Sequence, residues 1–405
     1  MQNGSKIINI GFLLPIQKEW MGGVNYFKNL FIAIDYVNKQ SSDNILLQPY
    51  IIKPDDTELA NEFSHYAKFI NFKKKKKPNY YTKKILCKMF FKKFNKQKYI
   101  TETLEPHIDI ISHSITNQKL PMLPWIPDFQ HIHLPEMFSE KEIEIRNQSF
   151  LSHIKQGKFV ILSSNDALND MKIFAPDFYH KARVLQFVSS INQDIYKKTD
   201  DISDLIQKKY NLPSKYFYVP NQFWQHKNHK VIFKAISILK ERDININVVF
   251  TGYSSDYRNK NHYDKLMEYA EKENIKDNIK ILGLIDSIEV YYLMRNCISI
   301  INPSLFEGWS STVEEAKSLG KNIILSNLDV HKEQNPPKSL YFNPNNANEL
   351  AQILLEKWNS NDNGPDYELE ELARKLLPER MLSFGKKYKN IILETISGEI
   401  KNETA

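Results

Sequence analysis

Two glutamates, Glu307 and Glu315, with seven residues between them, lie around a glycine turn that leads from an apolar strand, Cys297 to Ile301, into a helix. The amides of a first helical turn have no intrahelical partner and point outward. A strand, a small-residue turn and a helix start therefore form a natural anion site. Carboxylates beside such a site are suited to accept hydrogen bonds from neutral hydroxyls. The pattern favours a ligand that carries both phosphates and sugar hydroxyls.

The same residues also fit a purely structural role. Thr312 with Glu315, or Ser311 with Glu314, matches a capping box, in which a hydroxyl and an acid satisfy the free amides of a helix start. Acids near a helix N-terminus are in addition favoured by the helix dipole. This interpretation does not explain Glu307, which precedes the helix.

The stretch resembles the signature of the retaining glycosyltransferases of family 4, which have the GT-B fold. The matching residues are Pro303-Ser304, Glu307-Gly308, Glu315-Ala316 and Ser318-Leu319-Gly320, followed by the strand from Lys321 to Ser326. The usual Gly-Phe-Gly after the first acid is Gly308-Trp309-Ser310 here, so the turn keeps one glycine. The resemblance implies that Glu307 lies at the transferred sugar and Glu315 at the nucleotide ribose. It also implies that Gly308 and the amides of Trp309, Ser310, Ser311 and Thr312 contact the sugar and diphosphate of the donor.

A second motif, from Val219 to Lys230, joins a strand end to a helix start that carries three basic groups, His226, Lys227 and Lys230. Cations at a helix N-terminus oppose the helix dipole, so an anionic ligand would relieve the repulsion. A solvated basic corner is the alternative. Family 4 enzymes have Gly-Arg and then a lysine here, and both basic side chains bind the donor diphosphate. By this resemblance Lys227 is the lysine, and Gln222 replaces the arginine with a hydrogen-bond donor that has no charge.

The pair Gly22-Gly23 follows the first strand and precedes a helical run from Val24 to Asn38. A glycine turn there would let a ligand approach the backbone closely, and the resemblance places it at the donor. The pair is not a Gly-x-Gly-x-x-Gly fingerprint, so nicotinamide and flavin binding are not supported.

Several histidines of the first half are candidates for the acceptor side. The aromatic, proline-rich run from Trp125 to Glu136 contains His131 and His133, which could share one face of a strand. Family 4 enzymes often carry a His-Asp pair in this loop; Asp128 can be aligned with that Asp, and His131 could replace the histidine as a catalytic group. His113, at the end of a strand, is the other candidate. A structural role for these histidines stays open, and no further ligand cluster supports a metal site.

Length and pattern predict an α/β chain with two Rossmann-like domains, and the resemblance implies that they face a cleft, as in the GT-B fold. A chain of 405 residues with 41% hydrophobic residues can bury two cores. Strands alternate with helical segments, which indicates parallel sheets covered on both faces. By the resemblance we expect an N-terminal acceptor-side domain at 1–195, a nucleotide-sugar domain at 205–378 and a final helix at 379–398 that crosses back to the first domain, as in the GT-B family.

The sequence also bears on location. Two cysteines, Cys87 and Cys297, fit a reducing compartment without a disulfide framework. The first residues show no apolar run with a cleavage site, and no stretch reaches the roughly twenty apolar residues of a membrane span. We therefore expect a cytoplasmic protein that is either free or peripheral on the inner face of the membrane.

A lysine-rich insertion at about 72–100 lies outside the resemblance. Twelve lysines and no acid lie between Lys73 and Lys98. Ile85, Met89, Phe90 and Phe94 fall on one helical face, and a basic amphipathic helix is typical of an anionic membrane surface. A lysine-rich insertion packed on the domain is the alternative. The net charge of +7 is modest for this length and no recognition module is present, so nucleic acid is not expected as a partner.

Together these features predict a retaining, metal-independent glycosyltransferase without a cofactor. It would move a sugar from a nucleoside-diphosphate sugar to a glycan or lipid-linked acceptor, in surface polysaccharide biosynthesis. Two alternatives stay open: a transferase-like scaffold that has lost turnover, and another GT-B enzyme such as a sugar-nucleotide epimerase.

Overall fold

The computed structural model describes residues 5–14, 21–52, 63–70, 108–116, 119–196, 200–360 and 363–397. The strands of these residues are β1 Lys6–Phe12, β2 Ile45–Ile52, β3 Lys68–Ile70, β4 Ile110–Ser112, β5 Met122–Leu123, β6 Trp125–Ile126, β7 Val160–Leu162, β8 Ala182–Val184, β9 Phe217–Val219, β10 Val248–Phe250, β11 Ile279–Ile281, β12 Ile300–Asn302, β13 Ile323–Ser326 and β14 Leu340–Phe342.

All the strand pairs are parallel. In the first half of the chain, one sheet has the order β3-β2-β1-β4-β5 and a second has the order β6-β7-β8. Only Pro124 separates β5 from β6, and proline has no amide hydrogen for a strand ladder. The second half forms one sheet in the order β11-β10-β9-β12-β13-β14, which is the 3-2-1-4-5-6 order of a doubly wound fold.

Helices connect the strands. Their bounds are Met21–Gln40, Gln130–His133, Glu140–Gln156, Asn165–Phe174, Asp200–Lys209, His229–Lys240, His262–Lys272, Ser287–Asn296, Ser311–Leu319, Asp329–Gln334, Ala347–Ser360 and Tyr367–Ser397. The alternation confirms the predicted α/β architecture. The predicted limits 1–195 and 205–378 each enclose one group of strands, and below these groups are called the first and second domains.

The last helix, Tyr367–Ser397, lies against the helix Met21–Gln40 and contributes Met381, Phe384 and Tyr388 to the core of the first domain. A side chain at Gly385 would collide with the backbone of Ala33, so glycine permits this close crossing. The sequence predicted that this helix starts at residue 379. In the structure it starts at Tyr367, and Pro378 lies inside it.

Candidate active site

A cleft of about 370 Å³ lies between the two domains, at the carboxyl ends of the central strands β9 and β12. The order of the second sheet reverses between these strands, and such a switch point is where doubly wound sheets bind ligands. The first domain contributes Tyr26, Trp125 and Asp128 to the lining, and the second contributes Lys227, Glu307 and Glu315. The two motifs singled out in the sequence thus meet at one place.

The turn after β12 is fixed by contacts on both sides. Ser310 is the N-cap of the helix Ser311–Leu319, and its hydroxyl accepts a hydrogen bond from the amide of Val313. A side chain at Gly308 would collide with the carbonyl of Pro127 in the first domain, so this glycine is required by close approach. The indole nitrogen of Trp309 donates to the carbonyl of Phe187, also in the first domain, at 3.0 Å. Gly308, Trp309, Ser311 and Thr312 line the cleft.

The cap corrects the sequence interpretation. Ser310 is not among the residues that line the cleft, and neither predicted capping box forms. Glu314 instead lies buried inside the second domain, where it pairs with Lys317 and with Arg380 of the last helix. An ion pair across 66 residues of sequence separation leaves no local signal in the chain.

Lys227 and Glu307 form an ion pair in the cleft wall, with 2.6 Å between the ammonium nitrogen and Oε1 of Glu307. The hydroxyl of Ser304 lies at 2.6 Å from the same oxygen. Burial raises the pKa of Glu307, but Lys227, His331 and these hydrogen bonds outweigh it, so the pKa lies below its ordinary value. Glu307 is therefore an ionised carboxylate at neutral pH, and Lys227 is the cation that balances it.

A buried polar network extends from this pair to the helix start. Ser304 also contacts Asn302, the last residue of β12, and the Asn302 amide donates to the hydroxyl of Ser310 at 2.8 Å. Asn221 donates to Asn302 and accepts from the Thr312 hydroxyl at 3.1 Å. Sequence reasoning missed Asn302, because a lone asparagine at a strand end gives no signal by itself.

Glu315 differs from every other acid of the cleft wall. Its side chain is only 9% exposed, and no hydrogen bond or ion pair joins it to the described part of the chain. Burial raises its pKa to about 8. A buried carboxyl without a partner is costly, and a ligand with hydroxyl groups would satisfy it.

Of the three basic groups predicted at the start of the helix His229–Lys240, which are His226, Lys227 and Lys230, only Lys227 is a cation that lines the cleft. Lys227 and Gln222 line the cleft, whereas Lys230 is exposed outside it. His226 lines the cleft too, but burial, together with Lys227 and Arg258, holds its pKa well below the ordinary range, so it is neutral. The cation that sequence reasoning missed is Arg258, whose guanidinium contacts His226 at 3.0 Å and Gln130 of the first domain at 2.9 Å.

The glycine pair is not a turn in the structure. Gly22 and Gly23 belong to the first turn of the helix Met21–Gln40. Gly22 lines the cleft, whereas Gly23 is buried and does not. The sequence reading placed the helix start a few residues too late because glycine is a poor helix former.

His131 is not brought to the cleft. It lies in the short helix Gln130–His133 rather than in a strand, and it is buried among the rings of Phe138, Phe150 and Phe174. One ring nitrogen bonds Asn147 at 2.9 Å, and Nδ1 has no partner. The expected catalytic position of His131 is thus not supported by its surroundings, and we do not carry it into the site.

His133 and Asp128 lie at the interface of the two domains. His133 bonds Asp170 at 2.7 Å, and its ring lies 5.0 Å from that of Phe306 in the second domain. Asp128 lines the cleft and accepts a hydrogen bond from the amide of Gln130. Of the acceptor-side candidates in this loop, only Asp128 reaches the cleft.

His113 lies one layer behind the cleft. It is buried, and one ring nitrogen lies 2.6 Å from the hydroxyl of Tyr26, a lining residue. Burial lowers the pKa of His113 to about 3, so its imidazole is neutral. Sequence reasoning missed Tyr26, which the helix Met21–Gln40 presents one turn after Gly22.

A second group of contacts holds the domains together beside the cleft. Glu333 of the second domain accepts hydrogen bonds from the amides of Asn165 and Asp166, at 2.8 and 3.2 Å, at the start of a helix of the first domain. It also contacts Gln186. A carboxylate suits a helix N-terminus, so this contact helps to hold the two domains together.

Three further expectations concern the lysine-rich insertion, membrane spans and metal sites. The lysine-rich segment 73–98 lies outside the described residues. No helix of the described ranges combines the length and the apolar character that crossing a bilayer requires. Those ranges also hold no group of three or more His, Cys, Asp or Glu side chains arranged to bind a metal ion.

Comparison with solved structures fixes the fold. A glycosyltransferase from Rickettsia africae superposes with a TM-score of 0.62 at 18% identity, over 98% of this chain and 100% of that one. HepE of Anabaena, solved with UDP and glucose, superposes with a TM-score of 0.64 at 14% identity, over 95% of this chain and 99% of that one. The chain has the GT-B fold.

Sequence comparison agrees for the second domain. Residues 202–375 match the family model of glycosyl transferases group 1, which therefore covers Lys227, Glu307 and Glu315. CapJ of Staphylococcus aureus is 28% identical over 137 residues, which is 34% of this chain and 33% of that protein. The match thus spans about a third of the length of that relative.

Proposed function

We propose that the protein is a retaining glycosyltransferase that binds a nucleoside-diphosphate sugar in the cleft and transfers its sugar to a glycan or lipid-linked acceptor. The second domain holds the donor and the first domain faces the acceptor. The observation that carries this proposal is the convergence of three side chains at the switch point of a GT-B sheet: Lys227, Glu307 and Glu315, the last without a partner among the described residues.

Glu315 suits the ribose. The diols of a ribose supply hydroxyl donors, and an ionised carboxyl that accepts from them gains hydrogen bonds that it lacks in the free protein. Phosphate would be repelled by the same group. The helix Ser311–Leu319 begins four residues before Glu315, so its free amides lie beside the position proposed for the ribose.

Lys227 suits the diphosphate. Among the described residues, Glu307 is the acid that pairs with its ammonium. A diphosphate entering the cleft supplies a second anion, which Lys227 would stabilise as negative charge develops on the leaving oxygen. Glu307 would then be free to accept hydrogen bonds from the transferred sugar. Gln222 is uncharged and cannot neutralise the negative charge of the diphosphate. The nearby Arg258 already donates to His226 and Gln130.

The chemistry proposed needs neither a metal ion nor a cofactor. In a retaining transfer of this kind the leaving diphosphate oxygen takes the proton of the acceptor hydroxyl as the new glycosidic bond forms on the same face of the sugar. The chain would bind both substrates, exclude water by closure of the domains and stabilise charge. HepE, a structural relative, was solved with UDP and with UDP-glucose, which supports a uridine donor as the first to test.

A thermal-shift screen of nucleoside diphosphates and their sugars, in buffer with a chelator, tests the proposal. We expect stabilisation by at least one donor, and hydrolysis or transfer of the same donor at a rate that Glu307→Ala abolishes. A donor that binds without any turnover would point to a scaffold. Reversible conversion of the donor sugar without release of nucleoside diphosphate would point to an epimerase.

A further inference from the structure

A buried chain of hydrogen bonds ends at the cleft in Tyr26. The hydroxyl of Tyr388, on the last helix, lies 2.9 Å from the hydroxyl of Ser112. Ser112 lies 2.8 Å from Nδ1 of His113, and Nε2 of His113 lies 2.6 Å from the hydroxyl of Tyr26. All four side chains are buried, and only Tyr26 lines the cleft.

Which group donates in each of these hydrogen bonds follows from counting the hydrogens. Neutral imidazole carries one N–H, so one ring nitrogen of His113 donates and the other accepts. If Nδ1 donated, the Ser112 oxygen would accept from His113 and from Tyr388. The hydroxyl hydrogen of Ser112 would then have no acceptor in the described structure, because Ser112 has no other bond there. A buried donor without a partner is energetically unfavourable.

The opposite direction pairs every buried hydrogen except the one at the cleft end. Tyr388 donates to Ser112, Ser112 donates to Nδ1 of His113, and Nε2–H of His113 donates to the oxygen of Tyr26. The hydroxyl hydrogen of Tyr26 is then the one that remains. No acceptor for it exists among the described residues, and Tyr26 lines the cleft.

We infer that Tyr26 donates a hydrogen bond from its hydroxyl group to an oxygen of a sugar bound in the cleft, and that Ser112 and His113 are positioning residues that fix this polarity. This inference rests on the proposed function, which supplies a carbohydrate ligand. The oxygen belongs either to the donor sugar or to the acceptor sugar, since both must meet between the domains.

The surroundings of Tyr26 fit such a role. Its ring is stacked on that of Trp125 at 4.2 Å, which fixes its plane. Trp125 and Gly22 also line the cleft, so Tyr26 belongs to a wall with both apolar and polar residues. A single donor of fixed direction on such a wall discriminates strongly between ligands with and without the matching oxygen.

The tautomer of His113 can be tested without any ligand or activity. In long-range nitrogen–proton correlation spectra of the free protein labelled with ¹⁵N-histidine, we expect Nε2 of His113 to carry the proton and Nδ1 to be unprotonated. The assignment comes from the signal lost in His113→Gln. A proton on Nδ1 would overturn the inference, whatever the protein is found to catalyse.

Kinetics then test the role of Tyr26. Tyr26→Phe removes only the hydroxyl and should lower kcat/KM for transfer about fivefold, the factor expected for one neutral hydrogen bond of about 1 kcal/mol. His113→Leu should do the same, and His113→Gln, which keeps an N–H donor, should recover most of the loss. In the Tyr26→Phe background, His113→Leu should have no further effect.

The outcomes distinguish the donor sugar from the acceptor sugar as the source of the oxygen, and distinguish both from a merely structural role of Tyr26. A loss seen equally in donor hydrolysis without acceptor assigns the oxygen to the donor sugar, and a loss confined to transfer assigns it to the acceptor. Additive effects of the two substitutions, or a Tyr26→Phe variant with full kcat/KM and unchanged melting temperature, would refute the inference. If no donor is turned over by the wild type, the proposed function fails while the tautomer result still stands.

Discussion

Glu315, which has no partner in the described part of the chain, gives the sharpest prediction. Burial raises the pKa of Glu315 from 4.5 to about 8 in the folded chain. Because the folded value is the higher one, the stability that protonated Glu315 contributes is fully present below pH 4.5 and is lost as the pH rises towards 8. At about 1.4 kcal/mol per pH unit, ionisation in the unfolded chain disfavours folding by about 3 kcal/mol at pH 7.

Glu315→Gln should therefore stabilise the free protein. We expect its free energy of unfolding at pH 7 to exceed that of the wild type by about 3 kcal/mol, and the two to be nearly equal at pH 4.5. Urea denaturation followed by circular dichroism at a series of pH values measures this difference. Glu268→Gln, at an exposed position in the second domain, is the matched control and should show no such pH dependence.

Ligand binding should show the opposite trend. If the ribose is bound by ionised Glu315, affinity for a nucleoside diphosphate should rise as the pH increases, roughly 25-fold between pH 6.5 and 8.5 for a pKa of about 8. The phosphates of the ligand titrate in the same way with either protein. Comparing calorimetric titrations of the wild type and Glu315→Gln therefore isolates the effect of Glu315. Parallel pH profiles for the two proteins would refute the reasoning about Glu315.

Three further predictions concern the other groups of the site and the insertion. Lys227→Ala should raise the nucleoside-diphosphate dissociation constant at least about tenfold, or about 1.4 kcal/mol, and Lys227→Arg should recover part of the affinity. Unchanged affinity of Lys227→Ala in calorimetry would mean that Lys227 is only a solvated basic group. Glu307→Ala should abolish transfer in steady-state kinetics, and full activity would contradict its placement at the transferred sugar. For the lysine-rich segment, we expect salt-sensitive co-sedimentation with anionic vesicles that Phe90→Asp and Phe94→Asp weaken; no binding at low salt would make it a soluble insertion.

Much of the fold followed from the sequence. The buried strands β9, β10, β12 and β13 are short apolar runs followed by helices with regular apolar spacing, and these patterns are local. The turn from Glu307 into the helix Ser311–Leu319 was likewise predicted, because a strand and a glycine precede the helix within a few residues, although Ser310 and not Ser311 or Thr312 is its cap.

The orientation of individual side chains could not be predicted in the same way. His131 and His133 are two residues apart, yet His131 is enclosed by phenylalanine rings while His133 meets Phe306 of the other domain. Where each histidine side chain lies depends on how remote helices pack, and neither of these two reaches the cleft. Glu314 and Glu315 are adjacent, and Glu314 turns inward to partners that include the distant Gln334 and Arg380.

The direct test of the proposed function is the product of turnover. We would incubate the wild-type protein with UDP-glucose and other nucleoside-diphosphate sugars and a panel of glycan and lipid-linked acceptors, in a chelating buffer, and follow the anomeric protons by NMR. The proposal predicts release of nucleoside diphosphate and a new linkage with the anomeric configuration of the donor. An inverted linkage, or no consumption of any donor that stabilises the protein, would contradict it.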